Sequence, residues 1–193
     1  MAVLMGSDNM LDKLEAALAD YTPRQIDNPS ASPAAVLVLL RADTSDTHVV
    51  FTERTGNVEH HKGQICFPGG GCDEMDPTSE ATALRETFEE IGVKSEHVRI
   101  IGQLDDMVTV SNFRVSPFVG VIEQPEYEYH ISDSEVARVI EVPLGFLMED
   151  GNMELEVREH KGREVLVPAF SYNGHRIWGA TARMLHQLIE LVR

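Results

Sequence analysis

Residues 67–93 decide how this chain is read. They run Phe67-Pro68-Gly69-Gly70-Gly71-Cys72-Asp73-Glu74-Met75-Asp76 and close on Arg85-Glu86-Thr87-Phe88-Glu89-Glu90-Ile91-Gly92-Val93. The first half is a glycine loop, whose main chain can approach a ligand closely because three successive residues carry no Cβ. The second half predicts a helix over 77–91. Asp76 is placed to cap it, Pro77 suits its first residue and Gly92 suits its stop. At about 100° per residue, Ala81, Leu84, Phe88 and Ile91 share one face and are expected to form its core side. Glu86, Glu89 and Glu90 fall on the opposite face, with Arg85 at its margin.

Like charges at i, i+3 and i+4 repel one another on a helix. Such a face is either solvated or neutralised by cations. Clustered carboxylate oxygens are what Mg²⁺, Mn²⁺ or Ca²⁺ accept, and the Gly70 carbonyl just upstream can add another oxygen.

Outward from this segment the pattern alternates. Residues 34–40 read as a buried strand and 47–54 as a second, joined by a polar turn at 43–46. Residues 98–104 and 118–122 read as further strands. Residues 153–160 and 163–170, divided by Lys161-Gly162, predict a hairpin. A last helix covers 179–192, with Leu185, Leu188, Ile189 and Val192 on one side. At the other end, residues 10–21 space Leu11, Leu14, Leu18 and Tyr21 as an amphipathic helix, with Asp8 or Asn9 as cap. A connector carrying Pro23, Pro29 and Pro33 follows. Strands on both sides of a central helix imply a layered mixed α/β domain. The division expected is 1–33 as helix and connector and 34–193 as the main domain. The first helix suits packing or dimerisation, so a homodimer stays open.

The chain has 193 residues, 32 acidic against 16 basic, for a formal charge of −16. That balance argues against nucleic acid or an anionic membrane as partner, which would call for clustered Lys and Arg. An anionic small molecule stays admissible when cations intervene. Cys66 and Cys72 are too few for a disulfide framework and fit no common zinc spacing, so they read as small packing residues in a reducing setting. No apolar run is long enough to span a bilayer and no signal-peptide pattern is present, so a cytoplasmic location is expected.

Residues 67–93 strongly resemble the Nudix box, G-x5-E-x7-R-E-U-x-E-E-x-G-U, in which U is aliphatic. The half from Arg85 to Val93 matches at correct spacing. Asp76 stands where the general motif has Glu, one residue further from Arg85 than usual, and Thr87 stands at an aliphatic position. The longer spacing is similar to that of the coenzyme A diphosphatase subgroup, with its F-P-G-G-x-x-D-x-x-D stretch. That subgroup's upstream signature is matched by Phe51-Thr52-Glu53-Arg54-Thr55 and Gly63-Gln64-Ile65-Cys66. The likeness extends through Glu135-Val136, Val142-Pro143-Leu144 and Ile177-Trp178-Gly179-Ala180-Thr181-Ala182 and covers about residues 34–190. Glu59 stands where the subgroup has Arg, with His60, His61 and Lys62 beside it as other sources of positive charge.

The resemblance implies a Nudix-type αβα sandwich, an α/β (α+β) fold with a central mixed β-sheet. It also implies hydrolysis of a diphosphate linked to another group, with Mg²⁺ or Mn²⁺ as cofactor. Glu86 and Glu90 are then the principal metal ligands, with Glu89 and the Gly70 carbonyl completing the site. Arg85 holds the carboxylates in place, and Glu89 is the first choice for general base, with Glu135 as the alternative. Asp76 serves either as a cap alone or in the chemistry. Arg54, Gly69, Gly70 and Arg114 are the substrate-side candidates, with Phe113 beside Arg114 able to stack on a base. The substrate reading is coenzyme A or acyl-coenzyme A, giving 3′,5′-ADP and 4′-phosphopantetheine or its acyl form. The alternatives are another nucleotide derivative (a dinucleoside polyphosphate, a nucleotide sugar, NADH or a damaged nucleotide) and a non-catalytic nucleotide sensor. A sensor would be expected to have lost box carboxylates, all three of which are present.

Overall fold

The computed structural model describes residues 8–42, 46–56, 63–122, 124, 126–160 and 162–193. Glu59, His60, His61 and Lys62 lie outside the described residues. Eight strands build one mixed sheet around β1 (Ser32–Ala42). Along one edge of β1 runs β2 (Thr47–Arg54), antiparallel, with Leu40 opposite Val49. Along the other runs β7 (Phe113–Ile122), parallel, with Leu37 opposite Phe118. The start of β1 also pairs with β4 (Gly69–Gly71), placing Ala35 opposite Gly70. On the outer side of β2 lie β3 (Ile65–Cys66) and β8 (Val136–Pro143). Beyond β1, β7 carries β5 (Val98–Gln103) and β6 (Met107–Val108).

The alternation along β1 explains the three layers. Ala35, Leu37 and Leu39 point to one face, where α2 (Ser79–Ile91) covers them with Ala83 and Ile91. Val38 and Leu40 point to the other, beneath α1 (Asp8–Ala19) and α4 (Gly179–Glu190). On that second side Phe51 and Phe67 stack with ring centroids 4.9 Å apart. A short helix, α3 (Leu144–Met148), leads to a second, three-stranded sheet. Its strands β9 (Met153–His160), β10 (Arg163–Tyr172) and β11 (His175–Ile177) send Phe170 and Ile177 into the same core.

Several boundaries differ from the sequence reading. The glycine segment 69–71 is a strand rather than a loop, because its pairing with β1 supplies the hydrogen bonds that glycine flexibility alone would not. Pro33 belongs to β1 rather than to the connector, at the strand's first turn of pairing where a missing N–H costs little. Helix α1 already includes Asp8 and Asn9, so neither is its cap. β7 begins five residues earlier than expected; Arg114, Ser116 and Pro117 hide its strand pattern. β8 is missed altogether, because Arg138 and Glu141 interrupt its apolar run.

The amino-terminal helix is part of the core. Leu14 and Leu18 are buried among Val38, Val119 and Leu188, and a Cβ on Gly102 would come within 2.8 Å of Leu18 Cβ. Tyr21 and the backbone of Arg24 and Ile26 then tie the connector to Asp105 and Asp106. Leu14→Ala should therefore cost about 2–5 kcal/mol of stability, read as a loss in chemical denaturation. A cost below about 0.5 kcal/mol, within the usual range for surface substitutions, would show the helix to be an appendage.

Candidate active site

Helix α2 is rotated from the orientation its hydrophobic spacing suggests. Its buried residues are Thr82, Ala83, Thr87, Glu90 and Ile91, whereas Phe88 is 51 % exposed and Ala81 and Leu84 are half-buried. The reason lies underneath. The helix packs over β1 and β4, and the missing Cβ of Gly70 leaves the space that the Glu86 carboxylate occupies. Thr87, in the aliphatic position of the motif, is buried there and satisfies its hydroxyl by donating to the Ala83 carbonyl at 2.7 Å. The rotation carries Glu90 inward to 2 % exposure, leaves Glu86 half-buried and leaves Glu89 exposed.

Both ends of α2 are built locally. Thr78, not Asp76, is the N-cap, its Oγ1 accepting from the Ala81 N–H at 3.1 Å. Asp76 is committed elsewhere: Arg85 grips it with two parallel bonds, Nε to Oδ1 and Nη2 to Oδ2, both 2.9 Å. Asp76 Oδ2 also accepts from the Asp73 N–H and the Thr82 hydroxyl. The hydrogen bonds from Arg85 in particular hold the Asp76 carboxyl well below the usual range. At the other end Gly92 closes the helix with φ near 73°, donating to the Phe88 carbonyl at 2.8 Å.

Arg85 also organises the carboxylates. Its Nη1 donates to Glu86 Oε1 at 2.8 Å and to Glu89 Oε2 at 3.0 Å. Glu86 lies against the backbone of Gly70; a Cβ there would meet its carboxylate at 2.5 Å. Gly69, at φ +150°, lies so close to β1 that a Cβ would fall 2.4 Å from the Ala35 carbonyl oxygen, and its N–H favours the charged form of Glu90. Glu90 Oε1 faces Arg54 Nη1 at 3.6 Å, while Oε2 is buried with no hydrogen-bond partner. Arg54 is aimed there by a break in register, since the pairing of β2 with β8 shifts between Glu53 and Arg54.

Glu135 reaches the site from a turn rather than from a helix start. The segment 130–135 is stitched to the end of α2 by bonds from His130 N–H to the Ile91 carbonyl and from Ser132 N–H to that of Glu90. It is stitched to β2 by the Thr55 N–H donating to the Glu135 carbonyl at 2.9 Å. Arg114 goes elsewhere. It pairs with buried Asp106 at 3.7 Å, beside the Ile26 carbonyl, and lines a depression of about 430 Å³ at the amino-terminal end of α2 with Gln25, Gln103 and Ser116. Phe113 is part-exposed at the start of β7. Cys66 is packed against Thr52, and burial pushes its thiol up, away from reactivity.

The electrostatics concentrate on two carboxylates. Burial raises Glu86 against the pull of Arg85. Burial also pushes Glu90 up to about 8, opposed by Arg54 and the Gly69 N–H and reinforced by the charges of Glu86 and Glu135. Among the described residues no three His, Cys, Asp or Glu side chains converge in ligand geometry. Two guanidiniums stand among the carboxylates instead. The donor chemistry nonetheless fits a hard divalent cation: two half-buried or buried carboxylates one helical turn apart, an unpartnered Oε2 and a main chain brought close by glycine.

A family model for the NUDIX domain matches residues 31–161. The chain belongs to the Nudix hydrolase family. The uncharacterized Nudix hydrolase NudL of Photorhabdus laumondii is 34 % identical over 160 residues, covering 83 % of this chain and 84 % of its own. Nudix hydrolase 3 of Caenorhabditis elegans is 32 % identical over 205 residues, covering 96 % and 84 %. Among solved structures, a MutT/nudix family protein from Enterococcus faecalis superposes with a TM-score of 0.53 at 17 % identity, covering 94 % of this chain and 67 % of its own. A C. elegans Ap4A hydrolase binary complex superposes with 0.51 at 18 % identity, covering 60 % and 83 %. These structures share the αβα fold. Nudix hydrolases generally use divalent metal ions, and no helix among the described residues is long and apolar enough to cross a membrane.

The buried carboxyl gives this site a pH signature. A carboxyl raised in the fold adds stability that is complete below its unfolded pKa and is lost as pH rises through its folded value. For Glu90 that window runs from the ordinary carboxyl value of 4.5 to about 8. Asp76, held low, acts in the opposite sense and only in more acidic solution. In chelator-treated protein the melting temperature should fall from about pH 5 to about pH 8.5, and Glu90→Gln should remove much of that slope. An unchanged slope in the variant would contradict the burial of a titrating Glu90.

Proposed function

We propose that this Nudix hydrolase cleaves the diphosphate of coenzyme A or acyl-coenzyme A, giving 3′,5′-ADP and 4′-phosphopantetheine or its acyl form. The observation that supports the reaction is the close approach of Glu86 and Glu90 to the backbone of Gly69 and Gly70, with Arg54 facing the same carboxylates. What supports the substrate is the sequence itself. Arg54, the Gly63-Gln64 pair and the long spacing from Gly70 to Arg85 are similar to the coenzyme A subgroup.

In this reading Glu86 and Glu90 hold Mg²⁺ or Mn²⁺, with Glu89 and the Gly70 carbonyl as further oxygens. The bound cation supplies charge neutralisation on the diphosphate and a lower pKa for the attacking water. The protein's share is positioning. Arg85, locked on Asp76, bridges Glu86 and Glu89 through one nitrogen and so fixes their spacing. Glu89, exposed beside the cluster, accepts the proton of the water. Glu135 is the second candidate, because its charge is felt at both Glu86 and Glu90. Diphosphate hydrolysis asks for little covalent chemistry, so a site of this kind is sufficient.

Two measurements test these statements. Glu90→Gln and Glu86→Gln should fold and lose metal-dependent hydrolysis by about a hundredfold or more; near-full activity in either would remove it from the ligand set. Comparison of Glu89→Gln with Glu135→Gln assigns the base, as the one with the larger loss of kcat. For the substrate, coenzyme A, acyl-coenzyme A, NADH, ADP-ribose and diadenosine polyphosphates are offered with Mg²⁺ or Mn²⁺ and the products weighed by mass spectrometry. Activity confined to substrates without a pantetheine arm would overturn the coenzyme A reading and leave the metal-dependent hydrolysis standing.

A further inference from the structure

The two arginines of the site are held in different ways. Arg85 makes a parallel, two-pronged pair with Asp76 at 2.9 Å and spends its remaining donors on Glu86, Glu89 and the Gly71 carbonyl. Arg54 has a pinned backbone and a head that reaches Glu90 and the Cys66 thiol without a short bond to the carboxylate. Its N–H donates to the Gln64 carbonyl at 3.0 Å and its carbonyl accepts from the Gly63 N–H at 3.1 Å. Its guanidinium meets Glu90 only at 3.6 Å, beyond hydrogen-bond length, and leaves Glu90 Oε2 unpartnered.

Once ionised, a carboxyl buried to 2 % exposure needs a counter-charge. Here that charge sits on a side chain of which about a quarter is exposed. The surroundings are strongly acidic: Asp76, Glu86, Glu89, Glu90 and Glu135 set five carboxylates against the guanidiniums of Arg54 and Arg85. A diphosphate would be repelled by that sum. A divalent cation would be drawn in and would repel the guanidinium nearest to Glu90.

We propose that Arg54 is the exchangeable counter-ion of Glu90. A divalent cation takes its place at the carboxylate, and the released guanidinium turns to the substrate's diphosphate. Arg54 thus weakens the metal site while it is unloaded and strengthens the diphosphate site once it is loaded, which makes the metal bind first. Arg85 cannot exchange in this way, because its fork is closed on Asp76. The inference rests on the metal-dependent reading above.

The test uses the full chain and two probes: Mn²⁺ alone, followed by electron paramagnetic resonance, and methylenediphosphonate, a diphosphate mimic that is not hydrolysed, followed by calorimetry with Mn²⁺ present. Arg54→Gln should bind Mn²⁺ about tenfold more tightly than the parent, because the competing charge is gone. It should bind methylenediphosphonate about tenfold more weakly, because the fork is gone. Arg54→Met, which keeps the apolar stem, should show the same two shifts if the Gln variant does not fold. A merely structural Arg54 would weaken both probes together. Mn²⁺ affinity that is unchanged or weaker in the variants overturns the exchange, and so does unchanged diphosphonate affinity. No Mn²⁺ binding by the parent would overturn the metal-dependent reading itself.

Discussion

The buried carboxylate of Glu90 is the constraint around which the rest of this structure is arranged. Removing a charge from water costs several kcal/mol unless partners replace the lost hydration. The chain offsets that cost from two separate segments, the Gly69 N–H from β4 and Arg54 from the break in β2, while Glu86 one turn back on α2 works against them as a like charge. The 130–135 turn fixes the backbone of the same residue by bonding its main-chain carbonyl. The glycines at 69 and 70 are there because α2 and β1 leave no room for a Cβ on either side of β4. The threonines at 82 and 87 are buried on the same side of α2, their hydroxyls satisfied by Asp76 Oδ2 and the Ala83 carbonyl.

This arrangement shows why the fold was largely legible and the site only partly so. Strand 47–54 could be read as a short apolar run, buried on both faces through Val49, Val50 and Phe51, strand 153–160 from its alternation and the Lys161-Gly162 break, and the last helix from its 3–4 spacing, with Leu185, Leu188 and Ile189 in the core. Helix α2 obeys two demands at once. Its apolar pattern points Phe88 and Leu84 inward, yet packing on the glycine strand and the need to present Glu90 turn it the other way, exposing Phe88. Periodicity measures burial of apolar surface, and a helix that buries threonine and glutamate is invisible to it. The box motif set Glu86, Glu89 and Glu90 on one helix without showing which of them is buried.

Asp76 carries the same lesson at shorter range. Position and residue type made it a good helix cap, and capping would have explained it fully. The structure gives the cap to Thr78 and uses Asp76 to clamp Arg85 across nine residues. The one-residue lengthening before Arg85 is accommodated here: the chain passes from β4 through a turn held by Asp73 N–H on Asp76 Oδ2 before the helix begins. From this position outside the helix the carboxylate meets the guanidinium side-on, through Nε and Nη2. Arg114, by contrast, looked free in the sequence and is engaged with Asp106, where it helps seat the amino-terminal connector on the sheet.

The excess of acid over base acquires a physical meaning from these pairings. A site for an anion would ordinarily be built from basic side chains, and this chain has only 16 in 193 residues. It places two of them among five carboxylates and closes one of the two on Asp76. In the proposed function, what remains is a site that is negative until a cation enters it and able to hold a diphosphate afterwards. Selectivity against unbound phosphates then follows from electrostatics, because no anion is attracted to the carboxylates on their own account. An acidic site for an acidic substrate is therefore coherent: the protein contributes the geometry and the cation contributes the sign.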